Sequence, residues 1–194
     1  AGTLDPFASG LLLVGIGEAT KLLRHYVGLD KKYEATIKLG ATSDTQDKTG
    51  KIQETRYKQD TITKSKIQNI LESFIGKQKQ VPPMYSAKKL EGKRYYAYAR
   101  EGKTIERKPI EIEVYDLKLK SYGLGLMTIS CHVSSGTYIR TLAHDIGIKL
   151  GTGAYLQELK RTQIGDFKLE DAVVILEGGQ KPTDRIHLKN TGSY

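Results

Sequence analysis

The segments Ile110 to Lys120 and Leu124 to Val133 are separated only by Ser121-Tyr122-Gly123. They read as two strands with a turn between them, and Met127, Ile129, Cys131 and Val133 alternate along the second. Further upstream, Tyr33, Ala35, Ile37 and Leu39 alternate with Glu34, Thr36 and Lys38, which predicts a half-buried strand. Gly40 to Gly50 is rich in turn formers and reads as a loop. Ile67, Ile70, Leu71, Phe74 and Ile75 recur at helical spacing between Thr63, a suitable N-cap, and Gly76, a suitable stop. Helix is therefore expected over 63–75. A second helix is expected over 137–150, with Ile139, Leu142, Ala143, Ile146 and Leu150 on one face, Ser134-Ser135-Gly136 before it and Gly151 after it. A short third helix is expected over 154–161, ending in Lys160-Arg161. Strands and helices follow one another without strict βαβ alternation, so the pattern predicts an α+β fold with antiparallel pairing.

A chain of 194 residues buries roughly 70% of its unfolded surface without help from disulfides or metals. The single Cys excludes an intramolecular disulfide and points to a reducing compartment. The longest apolar run, Gly10 to Gly17, is far shorter than the ~20 residues of a membrane span, and no basic segment precedes it. The first residue is Ala, as in a sequence that begins inside a longer chain. The net charge is +9, which favours a polyanionic partner, nucleic acid first. Between Lys88 and Lys108 eight Lys and Arg stand against three Glu, with Tyr95, Tyr96 and Tyr98 interleaved and Tyr85 just before. Cations for phosphates and aromatic faces for unstacked bases suit RNA. The four His are scattered, Cys131 falls in an apolar strand pattern, and no phosphate-cradling glycine motif is present. Neither a metal nor a nucleotide cofactor is expected.

Three short segments can carry chemistry. Asp5 precedes Pro6 on a Gly-rich loop that leads into Leu11 to Val14. It is either a turn former or a carboxylate placed where scaffolds hold catalytic groups. Gly136-Thr137 at a helix start is either a cap or an anion site. Arg140, in the first turn, is either a surface charge or the planar partner of a carboxylate elsewhere. Tyr33 is either a core aromatic or a platform on which a base stacks.

Taken together, the segments Gly2 to Leu12, Lys31 to Gly50, Pro82 to Gly102, Ser134 to Gly147 and Leu156 to Phe167 resemble, in order and spacing, the TruB family of tRNA pseudouridine synthases. The resemblance implies the pseudouridine synthase fold, a mixed and mostly antiparallel sheet flanked by helices. It implies a catalytic core over residues 1–167 whose first strands are missing from this chain. Residues 168–194 are then a tail too short for a PUA domain. It implies isomerisation of uridine 55 in the T-loop of tRNA, with no cofactor and no metal. Asp5 falls on the family's catalytic aspartate, Tyr33 on its active-site tyrosine, and Tyr138 and Arg140 on further active-site positions. Leu159 matches an apolar residue lining the uracil pocket. Lys88, Lys89, Arg94, Tyr95 and Arg100 fall in the block that contacts RNA. A cytoplasmic monomer is expected, with tRNA as partner, no membrane and no obligate protein partner.

The same residues suggest why such a site needs an arginine. Burial raises a carboxylate's pKa, and an Arg within hydrogen-bond range lowers it again. A target base in a stacked loop must be flipped out, and an aromatic such as Tyr33 can stack on it. A non-catalytic T-arm binding module is the alternative reading. A hydrolase using Asp5 and Asp145 is another, although the helix pattern already accounts for Asp145.

Overall fold

The computed structural model describes residues 2–57, 61–86, 88–90, 92–103 and 105–173. Its elements run in the order β1 (Ser9–Gly10), α1 (Leu23–Val27, after a 3-10 turn), β2 (Lys31–Leu39), β3 (Ala41–Ser43), β4 (Ile52–Glu54), α2 (Lys64–Glu72) and β5 (Gly76–Gln80). They continue with β6 (Lys89–Leu90), β7 (Lys93–Arg94), α3 (Tyr95–Arg100), β8 (Ile110–Gly123), β9 (Leu126–Val133), α4 (Ile139–Leu150), β10 (Ala154–Ile164) and β11 (Phe167–Lys168). The main sheet has the order β1-β10-β2-β9-β8-β5, with β11 folding back on β10. Every pairing in it is antiparallel except β1 with β10. Two small hairpins, β3–β4 and β6–β7, stand apart from it.

The expected helix over 63–75 is α2, and the Thr63 side chain accepts a hydrogen bond from Lys66 N at 3.2 Å. The helix expected over 137–150 is α4, closed by Gly151 with φ +77°. Period-2 alternation places Ala35, Ile37 and Leu39 of β2 and Met127, Ile129, Cys131 and Val133 of β9 on the buried face. α2 and α4 lie on that face and complete one core with Ile67, Leu71, Leu142, Ile146 and Leu156. Each such side chain contributes on the order of 1.5–3 kcal/mol on burial.

Three expectations are corrected. The segment expected as a helix over 154–161 is the long strand β10, which lies between β1 and β2 in the sheet. The turn expected at 121–123 lies further on, at Leu124-Gly125, because β8 continues to Gly123. The loop expected over 40–50 contains β3 and is sewn to β10 by Lys48 N donating to Leu156 O at 3.1 Å and Leu156 N donating to Gln46 O at 3.0 Å. The tail expected from residue 168 begins with the end of β11 and a 3-10 turn over Leu169–Asp171, and residues 174–194 lie outside the described residues. Among the described residues no helix is long and apolar enough to cross a membrane.

Candidate active site

Arg140 is the first residue after Ile139 in α4, and its guanidinium enters the protein rather than solvent: the side chain is 6% exposed. Its Nη2 donates to Asp5 Oδ1 at 3.1 Å and to the Tyr85 carbonyl at 3.0 Å. Its Nη1 donates to Asp47 Oδ2 and to the Thr45 carbonyl, both at 3.2 Å. Nε lies 2.8 Å from Asp5 Oδ2 as an ion contact, without the alignment of a hydrogen bond. One planar cation thus binds two carboxylates and two carbonyls, a task for Arg and not for Lys.

The two carboxylates are not equivalent. Asp47 is 4% exposed, and its Oδ1 accepts from Thr45 Oγ1 at 2.8 Å and from the Thr49 amide at 2.9 Å. The preceding residue, Gln46, has φ +64°, a costly conformation for a side chain of this kind. It is held by Leu156 N on its carbonyl and by Thr141 Oγ1 on its amide oxygen at 2.8 Å. Asp5 sits on the turn closed by Ala8 N donating to Asp5 O at 2.9 Å, and its carboxylate is 32% exposed. Burial pushes the pKa of Asp5 above the usual carboxylate range, Arg140 pulls it down, and Asp47 pushes it up again. The site therefore offers one structural carboxylate, Asp47, and one that solvent can reach, Asp5.

Two tyrosines lie close enough to Asp5 to feel its charge. Tyr33, on β2, is half-buried, and burial raises its phenol pKa while the neighbouring Arg161 guanidinium lowers it. Tyr138 caps the N-terminal end of α4. Burial raises its phenol pKa too, against the pull of its surroundings, Arg140 included. Its backbone is gripped by Gln80, whose Oε1 accepts from Tyr138 N at 2.8 Å and whose Nε2 donates to Tyr138 O at 3.0 Å. Asp5, Tyr33 and the pair Tyr138 and Arg140, from three distant parts of the chain, are thus brought together.

The other expected site residues lie on β10 and around the β6–β7 hairpin and α3. Leu159 belongs to the buried core, opposite Ala35 across β10 and β2. Tyr95 is 3% exposed, and its ring stands in the interior beside Tyr138. Lys88 is half-buried, next to the β6–β7 hairpin. Lys89, Arg94 and Arg100 have described backbones, in β6, β7 and α3, and their side chains lie outside what is described. Asp145 lies further along α4, and the groups acting electrostatically on Asp5 are Arg140 and Asp47. Cys131 is a buried residue of β9 whose thiol is pushed up to about 12 by burial, no nucleophile at neutral pH. Among the described residues no group of three His, Cys, Asp or Glu is arranged to hold a metal ion.

Two residues of the site escape a reading of the sequence alone. Asp47 sits in a run of turn formers, Ser43 to Gly50, where an Asp between two Thr looks like an ordinary Asx turn. Arg161 looks like the basic end of a helix and is instead a buried side chain of β10.

Comparison with known proteins bears on this geometry. A family model described as TruB family pseudouridylate synthase (N terminal domain) matches residues 1–139. A second, described as tRNA pseudouridylate synthase B C-terminal domain, matches residues 140–177. The tRNA pseudouridine synthase B of Thermosipho melanesiensis is 45% identical over 181 residues, 93% of this chain and 59% of that protein. That of Aquifex aeolicus is 43% identical over 178 residues, 91% of this chain and 61% of that protein. The chain thus spans about three fifths of the length of these curated relatives. Among solved structures, a chain of a Cbf5-Nop10-Gar1 complex superposes with a TM-score of 0.64 at 29% identity, over 86% of this chain and 40% of that one. A chain of an H/ACA RNP bound to a substrate RNA containing 2'-deoxyuridine gives 0.60 at 26% identity, over 86% and 38%.

Proposed function

We propose a function from one premise: the chain belongs to the TruB family of pseudouridylate synthases. Its site converts a uridine of tRNA, uridine 55 in the T-loop, to pseudouridine in the cytoplasm. The C1′–N1 bond breaks, the base turns, and a C1′–C5 bond forms. The C5 proton leaves and a proton ends on N1, so atoms balance without a cofactor. Asp5 is the carboxylate that acts in this sequence, as nucleophile or as base. The observation that supports it is the Arg140 guanidinium between Asp5 and Asp47, which leaves only Asp5 open to a ligand.

Each neighbour has a part in the proposal. A base inside a folded T-arm cannot reach Asp5, so it is flipped out. Tyr33 offers a half-buried ring beside the carboxylate for it to stack on. Its phenol pKa is raised, so it stays protonated at neutral pH and can donate a hydrogen bond. Tyr138 shapes the other side of the pocket. Leu159 and Tyr95 act from beneath, by fixing the strand and the helix start against which these groups rest. Lys88, Lys89, Arg94 and Arg100 are assigned to RNA phosphates.

The test is single-turnover conversion of T-arm RNA by the full protein carrying this chain. Pseudouridine is expected at one position. RNA that binds without conversion establishes the alternative, a T-arm binding module. A second expectation concerns pH. The reaction needs Asp5 ionised, and its pKa in the folded protein is raised, first by burial. The acid limb of the rate profile is therefore expected above the ordinary carboxylate value of 3.8. Rates measured across the acid range at subsaturating RNA, which report the free protein, check this, and a limb at or below that value contradicts it.

A further inference from the structure

Arg161 is the largest fully buried side chain of the described protein, and it is charged. A buried cation costs several kcal/mol unless polar groups replace its water. Here the replacements are main-chain carbonyls of a single loop. Nη2 donates to Gly2 O at 3.2 Å, Nη1 to Thr3 O at 3.4 Å, and Nε to Leu11 O at 2.8 Å. The Arg161 carbonyl in turn accepts from Leu11 N at 2.8 Å. These contacts hold both ends of the segment 2–11, and Asp5 stands inside it. Gly10 allows the approach: it has φ +106°, and a Cβ there would overlap the Arg161 main chain. In the sheet, Arg161 is also the direct cross-strand partner of Tyr33. One guanidinium therefore touches the loop that carries the carboxylate and the strand position that carries the tyrosine.

We propose that Arg161 is a positioning residue of this site: by clamping both ends of the 2–11 loop against β10, it sets where the Asp5 carboxylate stands relative to the Tyr33 ring. The proposal rests on the assignment of Asp5 as the reacting carboxylate. Arg161 does not touch the substrate. Its charge lies beside the Tyr33 phenol, where it opposes the effect of burial.

The experiment uses the full protein with Arg161→Lys, Arg161→Gln, Gly10→Ala and Asp5→Asn. Single-turnover pseudouridine formation, the Kd for T-arm RNA and amide hydrogen exchange are measured on each. Misplacing a reacting group by about 1 Å costs on the order of 10²-fold, so Arg161→Gln is expected to lose roughly that much in rate. Its RNA Kd is expected within about threefold of wild type, since phosphate contacts lie elsewhere. Lys restores one cation but not the three-way fork, so Arg161→Lys is expected to fall between Gln and wild type. Gly10→Ala keeps the charge and displaces the loop, and it is expected to slow the reaction as well. In Arg161→Lys the Ala8 and Leu11 amides exchange faster while those of Ala35 and Ile37 in β2 do not. Wild-type rates in both Arg161→Lys and Gly10→Ala overturn the proposal, including where Arg161→Gln fails to fold. Unchanged exchange at Ala8 and Leu11 in Arg161→Lys also overturns it. An Asp5→Asn protein that converts RNA at the wild-type rate overturns the assignment of Asp5 instead, and the exchange result then judges the clamp alone.

Discussion

Asp5→Asn is expected to lower single-turnover pseudouridine formation by at least about 10⁴-fold, the scale seen when a reacting group is removed from an otherwise intact site. The substitution keeps the size and most of the shape of the side chain and removes the charge. Its effect on stability follows from the raised pKa of Asp5. The folded protein disfavours the ionised form, so the contribution of this group to stability is fully present below the ordinary carboxylate pKa and is lost as pH rises through the raised value. At neutral pH that loss is complete, and a neutral Asn relieves it. Arg140 gives up a charge contact at 2.8 Å but keeps Asp47. Unfolding midpoints at pH 7 are therefore expected to stay level or rise while activity disappears. Catalytic groups held at a cost to the fold behave in this way. Retained activity contradicts the assignment. So does a loss of activity that merely tracks a falling unfolding midpoint and weaker RNA binding.

Arg140→Leu is expected to do the opposite to the fold and the same to the chemistry. It leaves the buried Asp47 and the half-buried Asp5 near each other with no Arg140 cation between them. Removing one partner of a buried ion pair costs about 3–5 kcal/mol. For a domain of this size that corresponds to a drop of roughly 6–20 °C in Tm. It also removes the influence that lowers the Asp5 pKa, so the acid limb of any residual activity moves further up. Calorimetry and the rate profile read the two effects separately. Pairing Arg140→Leu with Asp47→Leu restores part of the stability and none of the activity, because the uncompensated charge is gone and Asp5 is still unassisted. An Arg140→Leu protein as stable as wild type means that the guanidinium is not the keystone between the two carboxylates.

Where the sequence was readable, one physical rule acted alone. The Thr63 cap, the Gly151 stop and the alternation from Tyr33 to Leu39 are local signals, and the structure reproduces them. β10 defeats the same method for a physical reason. Its register shifts between Leu156 and Glu158 and again between Arg161 and Gln163. Each bulge breaks the period of two, and the apolar residues Ala154, Tyr155, Leu156 and Leu159 are left at a spacing that imitates a helix. Arg161 strengthens the error, because a basic residue at the end of such a run looks like a helix terminus, and its burial depends on a loop 150 positions away. The site was legible in part. Asp5, Tyr33, Tyr138 and Arg140 were readable as motif positions. Asp47 was not, since nothing in Ser43 to Gly50 states that α4 will bring an arginine onto it from 93 positions away.

The clamp on the 2–11 loop also sets an order in time. Asp5 waits for Arg140, 135 positions later in the chain, and Leu11 waits for Arg161, 150 positions later. Ribosomes add roughly 5–20 residues per second, so the loop spends on the order of 8–30 s exposed before its partner exists. During that interval Ser9, Gly10 and Leu11 lack the β10 strand with which they pair. Asp5 is therefore synthesised well before the two arginines that fix its place.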